Sequence, residues 1–131
     1  MDTVSNNEIA GVRVDFDFWR DLSGGDDDSA RELLTLYLGD TSALISTMVS
    51  GLAAGSADQV GRAAHTCAGS SSTCGVNTLA ELCRRLEQQA RDNRLDDLSD
   101  TLPLIVETFD QVQACLTKTI AASSAPSQER I

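Results

Sequence analysis

His65, the only histidine of the chain, is the residue whose type and surroundings are best suited to act as a nucleophile. It lies near the start of the stretch AAHTCAGSSSTCG, residues 63–75, in which its immediate neighbours are small. A neutral imidazole nitrogen is a good nucleophile toward phosphorus near neutral pH, because the unperturbed pKa of histidine is about 6.5. If the stretch is helical, Gly69 lies four residues on and shares the face of His65. We therefore expect an accessible imidazole beside a bare patch of helix.

The opposite face of the same stretch predicts how His65 is held outward. Small and apolar side chains recur there at steps of three and four, as in a stripe that packs into a core. The stripe comprises Val60, Ala63, Ala64, Cys67, Ser71 and Cys74. Gly69 costs roughly 1 kcal/mol of helix stability relative to alanine. Because it has no side chain, another protein can approach the imidazole. The alternative is that a lone histidine is an ordinary surface residue or a satisfied core residue.

Four long segments with helical periodicity position this face. Residues 26–29 cap a first helix that runs to about residue 54, and Ser56 or Asp58 caps a second over about 57–74. Gly75 ends the second helix and Asn77 caps the third, which ends at the turn Asp92-Asn93. In the fourth, apolar residues recur from Leu95 to Leu116. Pro103 interrupts that pattern, so this helix either kinks there or begins near Ser99.

The pattern predicts an all-α fold, an antiparallel up-down four-helix bundle with short turns. A short additional N-terminal helix through Phe16, Phe18, Trp19 and Leu22 is expected to cover one end. We divide the chain into a flexible N-terminus at 1–14, the bundle domain at 15–120 and a disordered tail at 121–131.

Charge and composition exclude several classes of function. A formal net charge of −10 argues against nucleic-acid binding, which requires a basic face. No apolar run approaches the roughly 20 residues of a membrane span, and the N-terminus lacks the features of a signal peptide, so we expect a cytoplasmic protein. The four cysteines contain no C-x-x-C pair, which favours buried free thiols and no metal site.

The stretch around His65 resembles the core of the histidine-containing phosphotransfer (HPt) family, which reads roughly A-H-x-L-K-G-S-S followed by a glycine. The similarity continues through Leu79, Leu82, Cys83, Arg85, Leu86 and Glu87, and covers about residues 15 to 120. It implies the same bundle and a phosphoacceptor role for His65, with Gly69 and Ser70 in the patch where a partner docks. The chain departs from the pattern at Ala68, where the family usually has a lysine that offsets the phosphoryl charge.

The resemblance also implies roles on the following helix. A Glu or Gln at the position of Glu87 holds the imidazole nitrogen that does not react, which would leave the other nitrogen free to attack. Arg84, Glu87 and Arg91 are spaced by three and four and form one polar stripe. They could equally be solvated charges on an exposed face. Arg62, Arg84 or Arg91 could supply the charge that Ala68 lacks.

The function that follows is a phosphorelay intermediate, which accepts a phosphoryl group on His65 from a receiver-domain aspartyl phosphate and passes it to another receiver domain. The chain has no glycine-rich phosphate loop of an ATP site, so we expect a phosphoryl carrier without ATP chemistry of its own. Its expected partners are receiver domains of response regulators and hybrid sensor kinases, which would bring the Mg²⁺, and we expect a monomer. The alternatives are a non-catalytic docking module, favoured by Ala68, and a bundle that holds metal or heme.

Overall fold

Four helices form the body of the molecule in the computed structural model, which describes residues 8–9, 12–15, 17–19, 21 and 27–129. The elements in chain order are β1 (Glu8–Ile9), β2 (Val12–Arg13), α1 (Asp27–Ala53), α2 (Ala57–Thr73), α3 (Asn77–Arg91) and α4 (Leu95–Glu129). Helix α2 packs between α1 and α3, and α4 packs between α3 and α1. Consecutive helices are therefore neighbours around one core, as in the up-down bundle that the sequence predicts.

Short turns join the helices, and the residues in them explain where each helix ends. Gly55 and Gly75 have φ angles of +71° and +73°, and Asn93 has a φ of 57°, in the left-handed region that ends helices. The Ser56 hydroxyl accepts a hydrogen bond from the backbone N–H of Gln59 at 3.2 Å, so Ser56 is the predicted cap of α2.

The predicted cap of α3 is wrong. Helix α3 begins at Asn77, and the capping position before it belongs to Val76, which makes no side-chain capping bond. Val76 is fully buried, and its N–H donates to the carbonyl of Ser71 at 2.7 Å. Packing of an apolar side chain, and not a polar cap, therefore fixes where this helix starts.

The stripes predicted from periodicity form the core. On α1, Leu34, Thr41, Ile45 and Met48 are buried and Leu38 and Leu52 are partly buried. On α4 the residues Leu98, Leu102, Ile105, Phe109, Val112 and Leu116 are buried, whereas Leu95 in the first turn is exposed. Tyr37 of α1 is not part of the predicted stripe, yet it is buried, and its hydroxyl lies 2.8 Å from the Ser71 hydroxyl on α2.

An aromatic cluster closes the end of the bundle where α2 meets α3. Residues 17–19 and 21 are helical, in agreement with the predicted short helix, of which Phe16 and Leu22 lie outside the described residues. Trp19 is fully buried, and its indole N–H donates to the carbonyl of Cys74 at 3.0 Å. The Phe18 ring meets it edge-on at a centroid distance of 5.4 Å. The cluster is the lid that the sequence suggests.

Both predicted ends of the domain need correction. Strands β1 and β2 pair, Val12 and Val14 are buried, and Arg13 forms an ion pair with Glu81 of α3, so residues 12–14 belong to the packed domain. At the other end the backbone of α4 is helical to Glu129, and not disordered from residue 121. Extending a formed helix costs little, and three alanines lie between residues 121 and 125.

Helix α4 begins at Leu95, so a start near Ser99 is also wrong. Pro103 lies within the helix with its ring exposed to solvent. A proline there removes one backbone hydrogen bond. The buried residues on either side of it, Leu102 and Ile105, hold the helix against the core.

Within the described part of the chain, one helix has the length and composition of a membrane span. An 18-residue window within Asp28–Ala53 of α1 has a mean hydropathy of 1.2, although no uninterrupted apolar run marks it in the sequence. This helix is also an element of the bundle, because its buried stripe packs against α2 and α4.

Candidate functional site

His65 lies in the middle of α2 and points away from the core, as predicted. Its side chain is 71% exposed. The stripe behind it, Val60, Ala63, Ala64, Cys67, Ser71 and Cys74, is buried throughout. The imidazole is thus presented to solvent from a helix whose opposite face is fixed in the core.

Glu87 on α3 holds one nitrogen of the ring. Its Oε2 lies 2.9 Å from Nδ1 of His65, and the same oxygen accepts a hydrogen bond from Arg91 at 2.8 Å. An ionised carboxylate can only accept hydrogen bonds, so in the neutral imidazole Nδ1 carries the proton and Nε2 keeps its lone pair. Nε2 makes no hydrogen bond within the described residues. The geometry therefore leaves the lone pair of Nε2 available as a nucleophile.

A close approach of the two backbones brings Glu87 to His65. Gly61 lies one turn before His65, and a Cβ added to it would meet the Cβ of Ala90 on α3 at 3.1 Å. Ala90 in turn lies one turn after Glu87. A larger residue at position 61 would move α2 from α3, so the small residue sets the separation at which the imidazole and the carboxylate meet.

A shallow depression lies between α2 and α3 on one side of His65. His65 and Glu87 line it together with Asp58, Gly61, Arg62, Thr66, Arg91 and Asn93. Two of the predicted charge-compensating arginines are found here, and both are already paired. Nε of Arg62 lies 3.0 Å from Oδ2 of Asp58, and Arg91 is bound to Glu87.

Gly69 leaves open space on the exposed side of α2. A Cβ at that position would meet nothing within 4 Å, which agrees with the bare patch predicted from the sequence. Ser70 is half-buried, and its hydroxyl donates to the carbonyl of Cys67 at 3.2 Å. Ser70 therefore lies beside the patch. Its hydroxyl bonds to the helix backbone, and no hydrogen bond among the described residues joins it to the imidazole.

Ala68 is buried, with 5% of its surface exposed, whereas the adjacent Gly69 is exposed. Its methyl group is part of the hydrophobic core and does not lie on the open patch. A lysine at this position would run its stem along apolar surface before its amine reached solvent. Arg84, the third predicted cation, is exposed one turn before Glu87 and does not line the depression.

The cysteines behave as core residues. Cys67, Cys74 and Cys83 are buried free thiols, and Cys115 is half-buried. Burial raises the pKa of the Cys74 thiol. The hydrogen bond to Cys67, together with burial, raises the pKa of Cys83 far above its usual range, which keeps that thiol protonated. No group of three or more His, Cys, Asp or Glu residues that could hold a metal occurs in the described residues.

Sequence reasoning found His65, Glu87 and Arg91 but missed other residues of the site. Gly61 was overlooked, although it shares the small-residue character of the stretch and lies four residues before the histidine. Thr66 and Asn93 were also missed, because a depression between two helices depends on their relative register. No signal within one helix reveals that register.

Comparisons with known proteins show the family and the fold of the chain. The family model of the Hpt domain matches residues 32–118. The structure is similar to the crystal structure of histidine-containing phosphotransfer protein B from Pseudomonas aeruginosa PAO1. The TM-score is 0.76 at 24% sequence identity, over 83% of this chain and 95% of that chain. No curated protein sequence gives a significant match. The structural likeness shows a shared fold, and the family match covers α2 and α3 in full.

Proposed function

The chain belongs to the Hpt domain family of histidine phosphotransfer proteins, which act in phosphorelays, and we propose that Nε2 of His65 is its phosphoacceptor. One observation carries the proposal. The imidazole is 71% exposed while Glu87 binds its Nδ1 at 2.9 Å, so the ring is both accessible and held in one tautomer. A buried histidine, or an exposed one without such a partner, would not combine these properties.

The proposed step is an in-line displacement at phosphorus. The lone pair of Nε2 attacks the phosphorus of an aspartyl phosphate on the partner, and the Nε2–P bond forms as the P–O bond to the aspartate breaks. The aspartate leaves as a carboxylate with the bonding electron pair, and Nδ1 keeps its proton. Such transfers depend on positioning and charge neutralisation. Because Glu87 already orients the imidazole, the ring needs little movement before the attack.

Glu87 has two functions in this step. Its hydrogen bond fixes the ring orientation before the partner arrives. When Nε2 bonds to phosphorus while Nδ1 stays protonated, the ring becomes cationic, and the carboxylate then faces that positive charge at hydrogen-bond distance. Arg91 holds Glu87 in place through the same oxygen. The proposed roles are therefore nucleophile for His65, orientation for Glu87 and support for Arg91.

Hpt domains interact with receiver domains, and we propose the open patch beside His65 as the docking surface. Gly69 has free space above it, so a partner can approach the helix backbone next to the imidazole. We propose receiver domains of response regulators and hybrid sensor kinases as partners. We propose that these partners supply the Mg²⁺ and the acidic pocket. Action as a monomer in the cytoplasm is part of the same proposal.

The test is phosphoryl acceptance from a receiver domain that has been phosphorylated with acetyl phosphate and Mg²⁺. The wild-type chain should acquire a label that is labile to acid and stable to base, and His65→Gln should acquire none while keeping its helicity. Thr73→Gln is the matched control, because it introduces the same residue at an exposed position about two turns further along α2. A labelled His65→Gln variant would refute the assignment. A wild-type chain that binds the receiver without acquiring label would favour the docking module.

A further inference from the structure

We infer that Arg84 supplies the positive charge for the phosphoryl group on His65 in the absence of a lysine at position 68. This inference rests on the proposed function of His65 and names a further residue of the same site. Three arginines lie near His65 in sequence or space, and the structure separates them by register and by ion pairing.

The register of α2 against α3 places Arg84 opposite Ala68. Glu87 lies opposite His65, and Ala90 lies opposite Gly61, so the two helices run antiparallel past each other. Three residues beyond His65 on α2 therefore correspond to three residues before Glu87 on α3. The thiols of Cys67 and Cys83, which interact across the same interface, support this alignment. Arg84 thus lies opposite Ala68, the position at which the family usually has a lysine.

Arg84 is also on the side of α3 that faces His65. Arg84, Glu87 and Arg91 are separated by three and four residues and lie along one face of the helix. The structure shows that this face meets α2, because Glu87 reaches Nδ1 of His65 and Arg91 reaches Glu87. Arg84 is exposed and lies about 4.5 Å along the helix axis from Glu87, which is slightly less than one turn.

Ion pairing distinguishes Arg84 from the other two arginines. Arg62 is paired with Asp58, and Arg91 is paired with Glu87. Arg84 has no carboxylate within ion-pair distance among the described side chains. A phosphoryl group would have to compete with a carboxylate for Arg62 or Arg91. Arg84 has no such competing carboxylate among the described side chains.

The experiment uses phosphoramidate as the donor, because it needs no partner protein and reports only the groups of this chain. The lone pair of Nε2 attacks phosphorus, the P–N bond of N-protonated phosphoramidate breaks, and ammonia leaves with the bonding pair. We expect Arg84→Ala to slow phosphorylation of His65 about five-fold at low ionic strength, and less in high salt, where exposed charges are screened. Arg85→Ala is the matched control: Arg85 is exposed and lies about 100° further around α3.

A second pair of variants tests whether Arg84 stands in for the lysine. Ala68→Lys should restore the rate in the Arg84→Ala background and have a smaller effect in the wild-type background, so that the two changes are coupled. Thermal unfolding of each Ala68→Lys variant shows whether the buried position tolerates the stem. Arg62→Ala should change the rate less than Arg84→Ala.

The outcomes separate the two proposals. If His65→Gln is inert and Arg84→Ala reacts at the wild-type rate, the role of Arg84 is refuted and the proposed function stands. The role of Arg84 is likewise refuted if Arg84→Ala and Arg85→Ala slow the reaction equally, because the effect is then one of net charge. If His65→Gln still accepts the label, or the wild-type chain accepts none, the proposed function fails and the role of Arg84 fails with it.

Discussion

Removal of the Glu87 carboxylate tests the site most directly, because Glu87 makes the described hydrogen bond to the imidazole. Glu87→Ala should release the ring, allow both tautomers and slow phosphoryl acceptance. A hydrogen bond to a charged group contributes about 1.5–3 kcal/mol. The His65 side chain is 71% exposed and that of Glu87 is 16% exposed, so solvent screening reduces the contribution to about 1 kcal/mol. The expected loss of rate is therefore about five-fold.

Glu87→Gln separates orientation from charge. The amide oxygen can still accept the hydrogen bond from Nδ1, so the tautomer should be retained, whereas the negative charge that faces the phosphorylated ring is lost. We expect a rate between those of the wild type and Glu87→Ala. Glu107→Ala, a change at an exposed position of α4, is the control for loss of a surface carboxylate.

Two measurements are needed for this prediction. Nitrogen chemical shifts of the single histidine report the tautomer, and single-turnover labelling with phosphoramidate reports the rate. The reasoning is refuted if Glu87→Ala keeps both the wild-type tautomer and the wild-type rate. A slower rate with an unchanged tautomer would show that Glu87 acts through its charge alone.

Two further predictions concern the patch and the core. Gly69→Gln should impair transfer from a receiver domain through steric exclusion, with thermal stability equal or higher because glycine disfavours helix by about 1 kcal/mol. Gly39→Gln on α1, where an added Cβ also meets nothing within 4 Å, is its control, and normal transfer by Gly69→Gln would exclude the patch as the docking surface. Burial raises the pKa of Tyr37, the only tyrosine, above its usual range, so the unfolded state should lose its proton first above about pH 10. The free energy of unfolding should then fall by up to about 1.4 kcal/mol per pH unit, and denaturant unfolding of Tyr37→Phe between about pH 9 and pH 11 should lack this contribution.

Local periodicity was sufficient to predict the helices and the face that carries His65. The stripe from Val60 to Cys74 is buried as a whole, because steps of three and four define one side of a helix regardless of its neighbours. Gly75 also ended its helix as expected. The assignment of Glu87 to His65 came from the family resemblance, since spacing within α3 gives only a polar stripe.

The features that were missed depend on contacts between distant parts of the chain. Val76, and not Asn77, precedes α3 because the core accepts its side chain. Residues 12–14 are ordered because Val12 and Val14 pack in the core and Arg13 binds α3, which no short-range pattern reveals. Tyr37 and Ser71 meet across two helices in the same way. Each case is decided by tertiary packing and not by local propensity.

The packing of Gly61 against Ala90 determines whether the Glu87 side chain loses its conformational entropy during folding or during docking of a partner. Immobilising a long side chain such as glutamate costs on the order of 1–2 kcal/mol in conformational entropy. Here the helix separation that lets Glu87 reach His65 is set by small residues that face each other, since a Cβ added to Gly61 would lie 3.1 Å from the Cβ of Ala90. That entropy is therefore lost when the chain folds and not when a partner docks. A receiver domain meets an imidazole that is already oriented, and its binding energy remains available for its own alignment.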